Sequence, residues 1–151
     1  IINITDSPIE SNPKVERLNF EVHFEGGKLL FESDNSVSVK VTDCQNKGLK
    51  TSVNVIDTNN NTVVTTFQTN EEGYGKFDLL NTKNSLYSIN TTIDGNTFTY
   101  NLSPATIEGI NLSALTFVKK DNVMISIKTN NNTFTKVKDE KFKLIIEKNE
   151  S

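Results

Sequence analysis

From residue 18 onward the chain alternates. Leu18, Phe20, Val22 and Phe24 are separated by Asn19, Glu21, His23 and Glu25, and a repeat of two marks an extended strand with one face buried and the other in water. Helical side chains return to one face every 3.6 residues, so this spacing commits the segment to a sheet. The alternation returns at Val37, Val39 and Val41, and again at Val53 and Val55. Between the apolar runs stand residues that turn a backbone: Gly26-Gly27, the stretch 43–48, and Asp57-Thr58-Asn59-Asn60-Asn61. The last is expected to be a hairpin tip leading into 62–69. Asp94-Gly95 is a stronger hairpin signal, because both residues of a type I′ turn need positive φ. It joins a strand patterned by Tyr87 and Ile89 to one patterned by Phe98, Tyr100 and Leu102. Residues 28–31 form a short apolar piece, Gly73 and Gly75 bracket Tyr74 ahead of a strand over 76–80, and Pro104 ends the run.

Composition points the same way. Ala is scarce while Thr and Asn abound, which favours strands and turns over helices. With 151 residues and 34% hydrophobic content, one ordinary core is expected. Seven or so short strands at about ten-residue spacing predict an all-β, antiparallel, immunoglobulin-like sandwich over 18–104. The segment 1–17, with Pro8 and Pro13, reads as a linker or edge. After Pro104, Ile110 and Leu112 share one parity but Leu115 and Phe117 share the other, predicting a bulge near Ser113-Ala114. A turn at Lys120-Asp121-Asn122 leads to a strand at Val123, Ile125 and Ile127, and a polar connector through Asn130-Asn131-Asn132 leads to another at Phe142, Leu144 and Ile146. No helical period is visible anywhere. Three strands cannot bury a core of their own, so 105–151 is expected to open a second, incomplete β-sandwich or to add strands to the first.

The net charge of −3, with signs intermixed and no basic run, lacks the electrostatic footprint of nucleic-acid binding. Trp is absent and the three Tyr are scattered, so neither a base-stacking platform nor an aromatic sugar strip is expected. No stretch approaches the roughly 20 apolar residues of a membrane helix, and no signal-peptide pattern is present. Opening on Ile1 rather than Met, the sequence reads as compatible with a processed or excised piece. The single Cys44 excludes an internal disulfide and any multi-cysteine metal site, and is expected to be a free thiol without function.

Three constellations invite chemistry. Glu21, His23 and Glu25 share one face of the first strand at about 6.6 Å intervals, a spacing that suits a surface metal contact. A solvated polar face accounts for them better, since metal sites draw ligands from several elements. Asp57 to Asn61 and Asp94-Gly95-Asn96 are oxygen-rich, but neither has a calcium-loop spacing, and turn formation explains both. Glu71-Glu72 would be half of an acid pair with no second carboxylate to place opposite, and reads as an exposed turn. Asn60, Asn90, Asn101 and Asn131 begin Asn-x-Ser/Thr triplets, as expected by chance in a chain this rich in Asn and Thr. No catalytic residue, metal ligand or cofactor follows, and an enzyme is not expected.

Taken in order, Phe24-Glu25-Gly26-Gly27, Ser36 through Asp43, Gly48, Val53-Asn54-Val55-Ile56-Asp57 and Thr69 through Phe77 resemble the macroglobulin-like β-sandwich domains of large bacterial envelope or TonB-plug-associated surface proteins. The likeness spans about 22–104. Phe24 runs directly into Glu25 where that family has an intervening proline, and Cys44-Gln45-Asn46 does not match the Cys-Gly-x-Gln of a reactive thioester, so covalent protease trapping is not implied. What the resemblance implies is a non-catalytic spacer or protein-binding module, periplasmic or at the cell surface. Its partners would be neighbouring domains of the same polypeptide or another envelope protein, with no nucleic acid and no direct membrane insertion, and Gly26, Gly27, Gly73 and Gly75 would serve as structural turns. A ligand-binding module, an adhesin or carbohydrate-binding domain using its loops, is the alternative on the same fold.

Overall fold

A computed structural model describes residues 17–81, 85–119 and 122–145. The alternating segments become β1 (Leu18–Phe24), β2 (Asp34–Asp43), β3 (Ser52–Asp57), β4 (Thr62–Gln68), β5 (Tyr74–Leu80), β6 (Tyr87–Ile93) and β7 (Asn96–Asn101). They form two antiparallel sheets, ordered β1-β2-β5 and β4-β3-β6-β7. Register follows the pleat: Val37, Val39 and Val41 on β2 lie opposite Phe24, Val22 and Phe20 on β1, so one parity of each strand faces inward. Those valines, with Phe77 and Leu79, meet Val53, Val55, Tyr87 and Ile89 of the other sheet in a single core that Leu18, Leu29 and Leu102 close. A β-bulge between Val55 and Ile56 shifts the β3–β4 register. Asp94 and Gly95 have φ of 51° and 77° and join β6 to β7 with Ile93 opposite Asn96, the twist-matched hairpin turn their sequence predicts. Among the described residues the protein is all-β, apart from one short helix.

The remainder follows expectation in part. In the short apolar piece 28–31, Leu29 and Leu30 are buried, and Leu30 makes a single parallel bridge to Thr106. Next, β8 (Ile110–Lys119) and β9 (Asn122–Thr129) pair as a separate two-stranded ribbon. The bulge expected near Ser113-Ala114 is not there. Pairing stays regular from Ile110 opposite Thr129 to Leu115 opposite Met124, and the irregularity falls between Leu115 and Lys119. Where a polar connector was expected there is a helix, α1 (Asn131–Val137). It buries only Thr133, so it carries no apolar stripe and left no 3.6-residue period to find. The strand expected at Phe142 and Leu144 is also absent: 141–145 carries no strand, and both side chains are more than half exposed. Residues 1–16, Lys120, Asp121 and Ile146 lie outside the described residues.

The ribbon is inside out. Asn111 and Ser113, on the face shared with Ser126 and Lys128, are buried, while Leu112, Val123 and Ile127 on the other face are 49%, 57% and 54% exposed.

Candidate functional site

The ribbon joins the two-sheet unit through the loop after β1. Gly26 and Gly27 both have positive φ, which glycine adopts without a steric cost. Their roles differ. A Cβ on Gly26 would stand 2.5 Å from the Asn111 Cβ, whereas one on Gly27 would meet nothing within 4 Å. Asn111 Nδ2 donates to the Lys28 carbonyl at 3.1 Å. The Phe31 N–H donates to the Thr106 carbonyl and the Thr106 N–H to that of Leu29, at 2.9 and 2.8 Å. Asn130 closes the joint. Its Nδ2 donates to the carbonyls of Phe31 and Ile107 at 2.8 and 2.6 Å, and its Oδ1 accepts from the Thr133 N–H and hydroxyl at 3.0 and 2.9 Å. The other end of the loop is pinned by Asn35, 3% exposed, which accepts from the Leu30 N–H and donates to the carbonyls of Leu30 and Ser33.

Between the outer surface of the β1-β2-β5 sheet and the polar face of the ribbon runs an open groove of about 650 Å³. Glu25, Asp34, Lys76 and Asp78 line it on one side, Ser126 and Lys128 on the other. Lys128 Nζ lies 3.9 Å from Glu25 Oε2, and the Ser36 hydroxyl bonds the Asp78 carboxylate. Leu80 and Met124 line it too, so its wall mixes both signs of charge with apolar surface. Among the described residues no group of three or more His, Cys, Asp or Glu is placed to hold a metal ion.

The sequence candidates are scattered. Glu21 and His23 are exposed, opposite Lys40 and Ser38, and Glu25 turns to Lys128; the three do not converge. Asp57 spends its carboxylate on the Asn59 N–H at 2.9 Å and the Ser85 hydroxyl at 3.1 Å, while Asn60 Oδ1 accepts from the Thr62 N–H at 3.2 Å. The bonds to Asn59 and Thr62 form the turn, with Asn61 at φ 54°. Burial, with the nearby Asp57 charge in support, holds the Tyr87 phenol above its ordinary pKa. Glu71 pairs with exposed Lys50 at 2.8 Å, and such a surface pair contributes little. Cys44 is exposed and free, in a turn that the Asp43 carboxylate closes by accepting from the Gln45 and Lys47 N–H groups. Gly73 has φ 84°, but Gly75 already belongs to β5 and is needed for space, since its Cβ would sit 2.6 Å from the Phe67 ring.

Sequence reasoning missed Asn35, Thr69 and Asn130, three buried polar side chains that hold loops together. Signals existed for two of them. Asn35 shares the buried parity of Val37, Val39 and Val41, and Asn130 stands three residues before Thr133 as a helix N-cap does.

The two loop glycines separate in a test. Gly27→Ala is expected to cost about 1–2 kcal/mol, the strain of a left-handed non-glycine residue. Gly26→Ala adds a collision with Asn111, so hydrogen exchange over 110–129 should accelerate strongly in that variant and not in the first.

No family model matches the chain, and neither the curated proteins nor the solved structures hold a significant match.

Proposed function

We propose that the chain is a non-catalytic structural and interaction module of a multidomain bacterial cell-envelope protein, built as a macroglobulin-like, immunoglobulin-like β-sandwich. The observation that carries this reading is the joint: a second β element is fastened to the end of the first by side-chain-to-backbone bonds from Asn111 and Asn130. A spacer needs that kind of coupling, because stacked units transmit position only if the linker between them is held. In support, the oxygen-rich loops spend Asp43, Asp57 and Asn60 on their own backbone, which leaves fewer acceptors for a ligand. The strand order places β2 and β3 in different sheets, as in immunoglobulin-like sandwiches.

A ligand-binding module on the same fold predicts otherwise, and calorimetry distinguishes the two. Because a ligand that binds only the folded state raises its stability, the spacer reading expects a melting midpoint unmoved by millimolar calcium or by a panel of oligosaccharides. A rise of several degrees, with titration heats giving micromolar affinity, would replace it with the ligand-binding reading.

A further inference from the structure

The hairpin tip between β3 and β4 carries a feature that neither the core nor the joint uses. Five Asn-x-Ser/Thr triplets fall among the described residues, beginning at Asn60, Asn90, Asn101, Asn111 and Asn131. Composition supplies such triplets by chance, but the fold presents them differently. A transferase must reach the asparagine amide and the hydroxyl two residues on together, so the triplet has to lie on an open surface turn. Asn90 is half-buried in β6, which β3 and β7 pair on both sides, and its Oδ1 accepts from Asn54 Nδ2 at 3.3 Å. Asn111 is 4% exposed. Asn131 begins α1, and the buried Thr133 gives its hydroxyl to Asn130 instead. Asn101 is exposed, but the Leu102 N–H donates to the Tyr87 carbonyl at 2.9 Å and holds that triplet along the sheet. Asn60 differs from all four. Residues 58–64 are exposed throughout, Asn61 turns the chain at φ 54°, and the Thr62 hydroxyl and N–H both donate to Asn60 Oδ1, at 2.6 and 3.2 Å.

We propose that Asn60 is an acceptor of an N-linked oligosaccharide. In the transfer the Asn60 amide nitrogen bonds to the anomeric carbon of an oligosaccharide carried on a polyprenyl diphosphate. The bond from that carbon to the diphosphate oxygen breaks, polyprenyl diphosphate leaves with the electron pair, and the nitrogen gives up one proton to a base of the transferase. The inference rests on the cell-surface or periplasmic part of the envelope reading, since such transferases act on exported chains. The strand that follows supports it. β4 is an edge of its sheet, 62–68 holds no charged residue, glycine or proline, and Val63 and Val64 are 58% and 47% exposed. An uncharged, β-branched edge is a template for pairing with another chain, and a bulky, hydrated glycan at the head of the strand stands where it obstructs that pairing.

The folded chain is incubated with an oligosaccharyltransferase that reads Asn-x-Ser/Thr and with its lipid-linked oligosaccharide, beside a proteolytic digest of the same chain. Peptide mapping should place one glycan, on Asn60, in the folded chain, and glycans on several triplets in the digest. Asn60→Gln and Thr62→Val, both at exposed positions, should lower incorporation at least about tenfold, and Asn101→Gln should match the parent. The glycosylated chain should also aggregate several-fold more slowly than the unmodified one. A folded chain left bare while its digest is modified overturns the inference. So does a glycan on any other triplet of the folded chain, or incorporation that Asn60→Gln leaves intact. Equal aggregation rates overturn the guarding of β4. Calcium or saccharide binding by the chain would instead remove the spacer reading and leave this acceptor standing.

Discussion

Gly73→Ala is expected to lower the unfolding midpoint by roughly 10 °C or more. Backbone strain and a collision with β2 meet at the added methyl group. The residue has φ 84°, where a side chain costs about 1–2 kcal/mol. The added Cβ would lie 2.2 Å from the Val41 carbonyl oxygen and 3.1 Å from the Leu49 nitrogen. Those two atoms are bonded to each other, the Leu49 N–H donating to the Val41 carbonyl at 3.0 Å, and the Val41 N–H donates to the Gly73 carbonyl at 2.9 Å. Backbone must therefore move at two places at once, and β2 is the strand that both β1 and β5 pair with. The total should reach at least about 3 kcal/mol, in the range reserved for strain and core disruption. Gly95 is the control: its φ is 77° and a Cβ there meets nothing within 4 Å. Gly95→Ala should cost only the strain, and Gly95→Asn less, because asparagine tolerates left-handed backbone. Gly73→Asn should give no such relief. If chemical denaturation finds Gly73→Ala no worse than Gly95→Ala, the close approach at Val41 is not what fixes the glycine.

The contrast between these two glycines also shows what the sequence could reveal. Asp94-Gly95 is a local signal, read from two neighbours and the alternation on either side, and the structure places the hairpin there. Gly73 is exceptional because Val41 and Leu49 pass close to it, and those approaches are set by the packing of the whole unit. The same division runs through the chain. Strands β1, β2 and β3 were visible because each buries one parity of residues, and that pattern is written into consecutive positions. The ribbon misled because its polar face is the buried one, as Asn111 and Ser113 show. Helix α1 was invisible because capping and a single buried threonine, with no apolar stripe, hold it in place. Of the sites, Glu21, His23 and Glu25 stay spread along one strand, with Glu25 turned to Lys128. That Asn111 and Asn130 join the ribbon to the body could not be seen, because their partners are backbone carbonyls far along the chain, and carbonyls have no sequence signature.

Asn130→Ala should then have the second-largest effect, and a different kind of effect. The side chain is 2% exposed and serves two ends of the joint: its oxygen caps α1 through Thr133, and its nitrogen holds the carbonyls of Phe31 and Ile107. Loss of an N-cap costs about 0.5–2 kcal/mol, and the part-buried bonds to the Phe31 and Ile107 carbonyls add up to about 1 kcal/mol each. All of these bonds lie in the joint between the ribbon, α1 and the body. Local release is therefore expected before global unfolding. Hydrogen exchange should quicken by two orders of magnitude or more over 105–137, while β2, β3 and β6, whose core does not contain Asn130, keep their protection. Two further variants apportion the loss. Asn130→Ser retains an oxygen for the cap but no donor for Phe31 and Ile107, and should recover only the capping share. Asn130→Asp retains the cap acceptors but sets a carboxylate beside two carbonyls in a buried place, and should be no better than alanine at neutral pH. If Asn130→Ala instead unfolds the whole chain in one transition, the ribbon and the two-sheet unit are a single cooperative body, and the joint is part of its core.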